Sequence, residues 1–487
     1  MSLSTRKSIA SLQAEAAAEG AGTLKRVLSA TNLTLLGIGA IIGAGIFVLT
    51  GQAAAQYAGN AIWISFIVAG FGCLFAGLCY AEFSSMIPIA GSAYTYAYAT
   101  LGEFVAWIIG WDLMLEYLFG AATVAVGWSG YFGALLKQFG VELPVGWTQA
   151  PFGLEGTHHL VHVPGGIINL PAVVLIGLMT TLLVIGIKES ANFNNLIVFL
   201  KVGIVFAVIG FGSMYVKTAN WSPLIAPNTG TFGQFGISGI IRAAAVVFFA
   251  YIGFDAVSTA AQEAKNPQRD VPIGILLSLG ICTVLYIAMS MVMTGLAPYS
   301  TLNVPHPVSV AIEAVGPALA WLSWIVNLGA VLGLASVVLV MLMAQPRIFF
   351  SMSRDGLLPP AFSKVHPKFR TPYIPQILTG LVAAVVAGLL PVGLLGELVS
   401  IGTLLAFVIV CIGVIVLRRR SPDMARPFKT PWVPLVPILG VINCFGMMMF
   451  LPLDTWYRLV IWMAIGIIVY FAYSKSRSKL GKAQAGA

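Results

Sequence analysis

Apolar stretches long enough to cross a lipid bilayer recur along the whole chain. A spanning helix needs about 20 apolar residues. Hydrophobic residues make up 59% of the 487 positions and charged residues only 9%, whereas a soluble domain carries about 25% charged residues. The sequence therefore predicts an all-α polytopic membrane protein. The pattern indicates about twelve spans, numbered here in chain order: 33–53, 61–86, 101–134, 168–187, 193–216, 238–262, 272–297, 319–350, 374–391, 393–417, 434–452 and 455–473.

Basic residues are concentrated in alternate loops. With both termini in the cytoplasm, 21 of the 26 Lys and Arg side chains fall in cytoplasmic tails and loops. This distribution follows the positive-inside rule. It predicts a multi-pass protein of the cell inner (plasma) membrane with both termini cytoplasmic. The net charge of +9 is then a topology signal, and we expect no nucleic-acid partner.

The other polar features indicate neither secretion nor a cofactor. Residues 1–30 lack the apolar core of a signal peptide and are predicted as a cytoplasmic tail. The five cysteines lie in apolar segments and are interpreted as packed thiols. His158, His159 and His162 are predicted to lie in a solvated external loop. We expect no metal, no cofactor and, without a catalytic motif, no enzyme activity.

Two spans contain glycine-rich interruptions at matching places. Span one has a Gly-Ala-Gly run at residues 43–45, and span six has a glycine at residue 253. Interrupted spans at corresponding positions indicate an inverted-repeat transporter. This predicts a first repeat at 31–217, a second at 237–417, two further spans at 434–473 and a C-terminal tail at 474–487.

The run Gly43, Ala44, Gly45 is the first candidate binding site. A helix broken within a membrane frees N–H and C=O groups that must find partners. The N-terminus of a half-helix favours a carboxylate, while the carbonyls of the other broken end favour an ammonium. An α-amino acid offers both groups. The alternative is close helix packing through small residues.

The segment around Gly253 is the second candidate. It brings a glycine and the carboxylate of Asp255 into the middle of the bundle. Phe249 and Phe254 are candidate walls for a side-chain pocket, although aromatic residues in membrane helices also pack against lipid or neighbouring helices.

Lys201 lies about nine residues into span five, too deep to reach the interface easily. A lysine at the centre of a membrane helix costs about 2.5–3.5 kcal/mol on insertion scales, so it is a functional hypothesis by default. It is a candidate proton-coupling residue, and its ammonium can occupy a place where another transporter holds Na⁺. The alternative is a structural lysine satisfied by carbonyls.

Asp112 and Glu116 are four residues apart on span three, which places them on one helix face. With Asp255 they form a candidate charge network. They are interpreted either as a group that balances Lys201, relays protons or recognises a cationic side chain, or as a static polar contact.

The chain resembles the amino acid–polyamine–organocation superfamily, and within it the cationic amino acid transporter group. Four matching stretches between about residues 24 and 473 carry the resemblance: GIGAIIGAGIF at 37–47, FAYIGFD at 249–255, NPQRDVPIG at 266–274 and SRDGLLP at 353–359.

The resemblance implies the five-plus-five inverted-repeat fold of leucine transporters with two additional helices. It implies a substrate carboxylate near residues 43–45, and an amino group at carbonyls of Ile41, Phe249, Ala250 and Ile252. It places Lys201 where proton-coupled relatives replace sodium, with the Gly43 carbonyl and span eight near Ala335 and Ser336 as its partners.

Two departures leave the substrate open. Many bacterial relatives have Ser or Thr where this chain has Ala44, and the cationic group often has fourteen spans. We therefore expect a proton-coupled importer of small or medium neutral L-amino acids, with cationic ones included as an alternative. A proton-independent exchanger or exporter and an amino-acid-sensing membrane receptor are also compatible with the sequence.

Overall fold

The protein is predominantly helical. The structure is a computed structural model and describes residues 5–8, 12, 28–87, 92–155, 159–186 and 191–485. Within these residues, eight helical segments are long and apolar enough to cross a bilayer: Ala30–Met86, which holds spans one and two, Glu103–Gln138, Asn195–Ser213, Gly236–Ser258, Pro267–Leu296, Pro317–Arg354, Val392–Arg420 and Leu453–Arg477. Three shorter apolar helices follow the same pattern: Leu170–Ile185, Tyr373–Leu389 and Leu435–Phe450. Together they account for the twelve spans, and the all-α polytopic fold is confirmed.

The predicted division between spans nine and ten at Pro391 is confirmed. Span nine ends at Leu389, and span ten begins at Val392. Leu390 is extended (φ −110°, ψ 148°), as is usual for a residue that precedes proline. The proline ring then starts the next helix without needing an N–H acceptor.

Spans one, two, three, six, eight and ten form the centre of the bundle. Span three packs against spans eight and ten, while span two packs against span seven. Burial distinguishes the central spans from the peripheral ones. In the most apolar stretch of spans one and two, 89% of the residues are buried, whereas in that of span twelve only 22% are buried. The interrupted spans are therefore surrounded by other helices rather than exposed to lipid.

Several elements between the spans were not predicted. The helices Ser92–Thr100 and Pro307–Glu313 lie in loops on either side of the bundle. Shorter helical turns lie in these and other loops: Gly59–Ala61, Val145–Thr148, Thr218–Trp221, Tyr299–Leu302 and Pro360–Ser363. Lys479–Ala485 follows the last span. These pieces are too short to carry a hydrophobic periodicity that a sequence pattern would reveal.

Part of the histidine-containing loop is a β-hairpin, which was not predicted. Strands Phe152–Glu155 and His159–His162 pair antiparallel, with Phe152 opposite His162. His158 lies outside the described residues. Over the part of the chain that the structure describes, no group of three or more His, Cys, Asp or Glu side chains is placed to hold a metal ion.

A buried ion cluster ties spans two and ten together at one end of the bundle. Glu82 accepts two hydrogen bonds from Arg418 at 2.8 Å and one from the Thr430 backbone N–H at 2.8 Å. Arg426 lies 3.3 Å from the same carboxylate. The residues 5–8 lie at this end as well, near Asp355, and we call it the N-terminal face.

Candidate functional site

Span one is broken between Ile41 and Gly45. The first helix of span one, Ala30–Ile41, ends there, and Ile42 is extended (φ −71°, ψ 94°). The chain resumes as a π-helical turn over Gly45–Leu49. The first N–H groups of a helix have no intrahelical acceptors, so the break places free donors and carbonyls inside the bundle.

Span six is broken in the same part of the bundle. The helix Gly236–Val247 tightens into a 3₁₀ turn over Phe248–Tyr251, and Ile252 is extended (φ −59°, ψ 137°). Gly253 has φ +113°, and a Cβ there would lie 2.9 Å from the carbonyl carbon of Ala40. Both the left-handed backbone and the lack of space require glycine. The chain then continues as the short helix Ala256–Thr259 and the turn Ala261–Glu263.

The two breaks contact each other through backbone. A Cβ added to Gly45 would overlap the backbone of Ala250, just as one on Gly253 would meet Ala40. The structure therefore brings together the residues predicted from spans one and six. Ala44, between the two glycines of span one, is fully buried and lies near Gly127 of span three.

The carbonyl groups at the breaks share a donor that was not predicted. The hydroxyl of Tyr286, in span seven, lies 2.8 Å from the oxygen of Ile41 and 3.0 Å from that of Ala250. The oxygen of Phe249 accepts from the Ile252 N–H at 3.2 Å. The single hydroxyl proton of Tyr286 can form only one full hydrogen bond at a time. The carbonyl oxygens of Ile41 and Ala250 can therefore each accept a further hydrogen bond. A single tyrosine within an apolar span carries no pattern that identifies its partner.

The predicted aromatic walls have different surroundings. Phe249 is buried beside the break. Phe254 packs edge-on against Tyr80 at 5.6 Å and lies 5.1 Å from the ring of Phe407. Phe254 therefore belongs to an aromatic cluster between spans two, six and ten, which closes one side of the break region.

Lys201 contacts span one through its ammonium. Its Nζ donates to the carbonyl oxygens of Gly39 at 3.0 Å and Ile42 at 3.2 Å. The resemblance implied the carbonyl of Gly43, but that oxygen accepts from the N–H of Phe47 at 3.3 Å. Because Ile42 turns its backbone out of the helix, the carbonyls just before the break are the ones that face span five.

In span eight, Gly333 lies against Lys201, three residues before the implied Ser336. The aliphatic part of Lys201 packs against Gly333, where an added Cβ would lie 3.0 Å from Cε. The hydroxyl of Ser336 donates to the Gly333 oxygen at 2.8 Å. The hydroxyl of Ser336 therefore bonds a carbonyl of its own helix, as serine often does in a membrane helix. That carbonyl belongs to Gly333, the residue that Lys201 contacts.

Asp112, Glu116 and Asp255 meet between spans three, six and ten. The hydroxyl of Tyr117 donates to Asp255 at 2.5 Å. Glu116 lies beside Asp255 and Thr403, and Asp112 lies against the backbone of Gly402, where a Cβ would be 3.1 Å from Oδ1. Both carboxylates of span three are only 1% exposed, so the helix face that they share is turned into the bundle.

The carboxylate oxygens of Asp112 and Glu116 lack hydrogen-bond donors with good geometry among the described residues. Buried polar atoms without partners are rare in folded proteins, and desolvating them is costly. A proton or a ligand cation would satisfy them, so the cluster can hold positive charge close to the break in span six.

Comparison with known proteins places the chain among permeases. The family model described as amino acid permease matches residues 28–472. The methylthioribose transporter of Bacillus subtilis is 49% identical over 99% of this chain and 100% of its own length. The branched-chain amino acid permease of Bacillus subtilis is 49% identical over 96% of this chain and 97% of its own. The vacuolar cationic amino acid transporter 4 of Arabidopsis thaliana is 42% identical over 83% of this chain and 65% of its own.

Proposed function

Because the chain belongs to the amino acid permease family, we propose that it imports an L-amino acid across the cell membrane by proton-coupled alternating access. The observation that supports this most directly is the contact between the two helix breaks, Gly45 on Ala250 and Gly253 on Ala40. It brings the backbone donors and acceptors of both interrupted helices to one buried point. Alternating access needs a central site that either half of the bundle can close.

The proposed site recognises the groups that all α-amino acids share. The N–H groups that begin the outer half of span one, at Gly43, Ala44 and Gly45, receive the carboxylate. The carbonyls of Ile41, Phe249, Ala250 and Ile252 receive the ammonium. Tyr286 donates to two of these oxygens. A substrate ammonium, with three donors, can take over these acceptors when it arrives.

The proposed substrate is a small or medium neutral amino acid. The side chains next to the breaks are apolar and buried: Ala44, Phe249 and Phe254. A relative of 49% identity is described as a branched-chain amino acid permease, and a second such permease, from Lactococcus lactis, is 36% identical over 93% of this chain. A cationic substrate would need the nearby carboxylates, Asp255 above all.

The proposed coupling ion is the proton, carried by Lys201. The lysine ammonium bonds the inner half of span one, so loss of its proton would weaken that attachment. A proton drives such a change only through its different affinity for the two states. Asp112, Glu116 and Asp255 are a second group that can hold a proton.

The same proposal includes the organisation of the chain in the membrane. Residues 31–217 and 237–417 would be inverted repeats, and each would begin with a broken span. The N-terminal face, which carries the Glu82 ion cluster and residues 5–8, would be cytoplasmic, in line with the excess of basic residues there.

A second candidate substrate is methylthioribose. It rests on a relative of 49% identity over its full length that is described as a methylthioribose transporter. Methylthioribose has neither an ammonium nor a carboxylate, so backbone groups at helix ends would have less to recognise. The buried tyrosine hydroxyls near the breaks would then have to bind sugar hydroxyls.

A ligand screen on purified protein separates these proposals. A ligand that binds only the folded protein raises its apparent melting temperature. We expect stabilisation by neutral L-amino acids and none by the matching amino acid amides or decarboxylated amines. Stabilisation by methylthioribose alone would favour the second candidate, and binding of an amide or an amine as tight as that of the amino acid would contradict recognition by both breaks.

The transport mode is tested in proteoliposomes. We expect substrate to accumulate under an inward proton gradient without sodium. Counterflow into preloaded vesicles at zero gradient, without any accumulation under a gradient, would instead identify an exchanger. A strict sodium requirement would contradict the role of Lys201.

A further inference from the structure

A cavity on the N-terminal face lies well away from the two helix breaks. Its volume is about 430 Å³, and it is bordered by the segment 5–8, the end of the helix Ser92–Thr100 and the end of span ten. The polar residues around it are Arg6, Lys7, Ser8, Thr100, Arg420 and Ser421. Leu417 and Met424 add an apolar side.

The segment 5–8 is held in place by the ends of spans three and eight. The Thr5 oxygen accepts from the backbone N–H of Glu103 at 2.8 Å, and the Lys7 N–H donates to the Tyr98 oxygen at 3.3 Å. The ammonium of Lys7 pairs with Asp355 at 2.6 Å. Tyr94 donates to the same carboxylate at 2.7 Å. Asp355 therefore neutralises the charge of Lys7, and these bonds hold the segment 5–8 in place at the edge of the cavity.

Arg6 and Arg420 both border the cavity, and the described residues that line it include no acid. The Nε of Arg6 is buried and has no hydrogen-bond partner among the described residues. Arg420 donates to the Thr100 oxygen at 3.3 Å, and the described part of the chain provides neither arginine with a salt bridge. Burial, and next the positive charge of Arg420, hold the pKa of Arg6 below its usual range.

Two guanidinium groups that share a cavity repel each other, and a buried N–H without an acceptor is costly. An anion between them removes both costs. Guanidinium groups match phosphate oxygens with paired hydrogen bonds. The cavity is larger than a bare phosphate ion, and its side formed by Leu417 and Met424 suits the apolar part of a phosphate ester.

We propose that this cavity binds a phosphate-bearing anion between Arg6 and Arg420. The hydroxyl-bearing residues Ser8 and Ser421 border the same space. The bound anion would connect the segment 5–8, already attached to spans three and eight, to the end of span ten. Its occupancy would therefore stabilise this end of the bundle. The source is either the headgroup of an anionic lipid or a soluble phosphate.

Thermal unfolding of the full chain in neutral detergent tests the site and its source. The probes are inorganic phosphate and short-chain phosphatidylglycerol, with short-chain phosphatidylcholine and equal ionic strength of chloride as controls. We expect a saturable rise in melting temperature with phosphatidylglycerol. The same rise with inorganic phosphate would identify a soluble ligand as the source, and a rise with the lipid alone would identify the membrane.

Variants locate the effect. Arg6→Gln and Arg420→Gln should each raise the half-saturating concentration at least about tenfold, whereas Arg419→Gln, at a neighbouring arginine that does not line the cavity, should not change it. Arg6→Lys, which keeps the charge but loses the paired donors, should lie in between and covers the case in which the Gln variant does not fold. An unchanged half-saturating concentration in Arg6→Lys and Arg420→Gln, or a parent protein that neither probe stabilises, would overturn the proposal.

Discussion

The ammonium of Lys201 lies 3.0 Å from the carbonyl oxygen of Gly39, and this bond attaches span five to the helix Ala30–Ile41 of span one. A second bond, to the oxygen of Ile42 at 3.2 Å, reaches the first residue of the break. Lys201 thus contacts the segment whose end forms the proposed substrate site, so movement of span one away from span five would break both bonds.

Lys201→Ala should uncouple transport from the proton gradient. The substitution removes the attachment to span one but leaves the backbone groups at both breaks. Substrate affinity should stay within about tenfold, which corresponds to ~1.4 kcal/mol, while gradient-driven accumulation in proteoliposomes is lost. Lys217→Ala, in the loop after span five, is the matched control and should accumulate substrate normally. Full accumulation by Lys201→Ala would remove this lysine from the mechanism.

Gly45→Ala and Gly253→Ala should both damage the contact between the breaks. Each added methyl group meets backbone that cannot move aside independently, Ala250 in one case and Ala40 in the other. Overpacking of this kind costs about 1–3 kcal/mol, and Gly253 also has a positive φ. The control is Gly203→Ala in span five, where nothing lies within 4 Å. We expect melting temperature and uptake to fall in the first two variants only; equal behaviour of all three would contradict the packing argument.

Tyr286→Phe should destabilise the substrate-free protein more than the substrate-bound protein. The hydroxyl serves the carbonyls of Ile41 and Ala250, and loss of a buried hydrogen bond costs about 1–3 kcal/mol when its acceptors stay unpaired. A bound ammonium would satisfy them again, so the rise in melting temperature on adding substrate should be larger than in the parent.

The control for Tyr286→Phe is Tyr251→Phe. Tyr251 packs 5.5 Å from the ring of Tyr286 and donates to the oxygen of Phe66 in span two at 2.8 Å. Its loss should lower stability equally with and without substrate. If substrate stabilises Tyr286→Phe less than it stabilises Tyr251→Phe, the ammonium does not bind these carbonyls.

Glu116→Gln separates the two interpretations of the carboxylate cluster. If Glu116 takes part in proton coupling, the variant should lose the dependence of uptake on external pH but retain counterflow at zero gradient. If the cluster recognises a cationic side chain, arginine transport should be lost while alanine transport continues. Equal loss of both substrates at every pH would identify a purely structural contact. The ratio of arginine to alanine uptake across a pH series distinguishes the three outcomes.

The spans were predictable because bilayer thickness sets a length that few soluble segments reach. The breaks were predictable too, since Gly43, Gly45 and Gly253 interrupt otherwise apolar runs. The identity of the lysine's carbonyl partners was not, because it depends on how Ile42 turns after the helix ends. Tyr286 was missed for a similar reason: which acceptors a buried hydroxyl meets is decided by the packing of span seven on two other spans.

The loop elements escaped prediction for a different reason. The helix Ser92–Thr100 is a run of alternating tyrosines and small residues, a period-two pattern that favours a strand over a helix. Its conformation is set by tertiary contacts, among them the bond of Tyr94 to Asp355 at the end of span eight. A contact between residues 261 positions apart in the chain cannot be recognised from the local sequence around either residue.

Main-chain atoms form the contact between the two helix breaks, and this has a consequence for how the protein can diverge. Atoms of the peptide unit are the same whatever residue is encoded, so mutation has few ways to redesign that contact and many ways to reshape the side chains around it. If the breaks bind the carboxylate and the ammonium as proposed, a duplicated gene of this kind can change its substrate while recognition of these two groups is inherited unchanged. Laboratory selection for a new substrate should accordingly accumulate changes around Phe249 and Phe254 and leave Gly45 and Gly253 untouched.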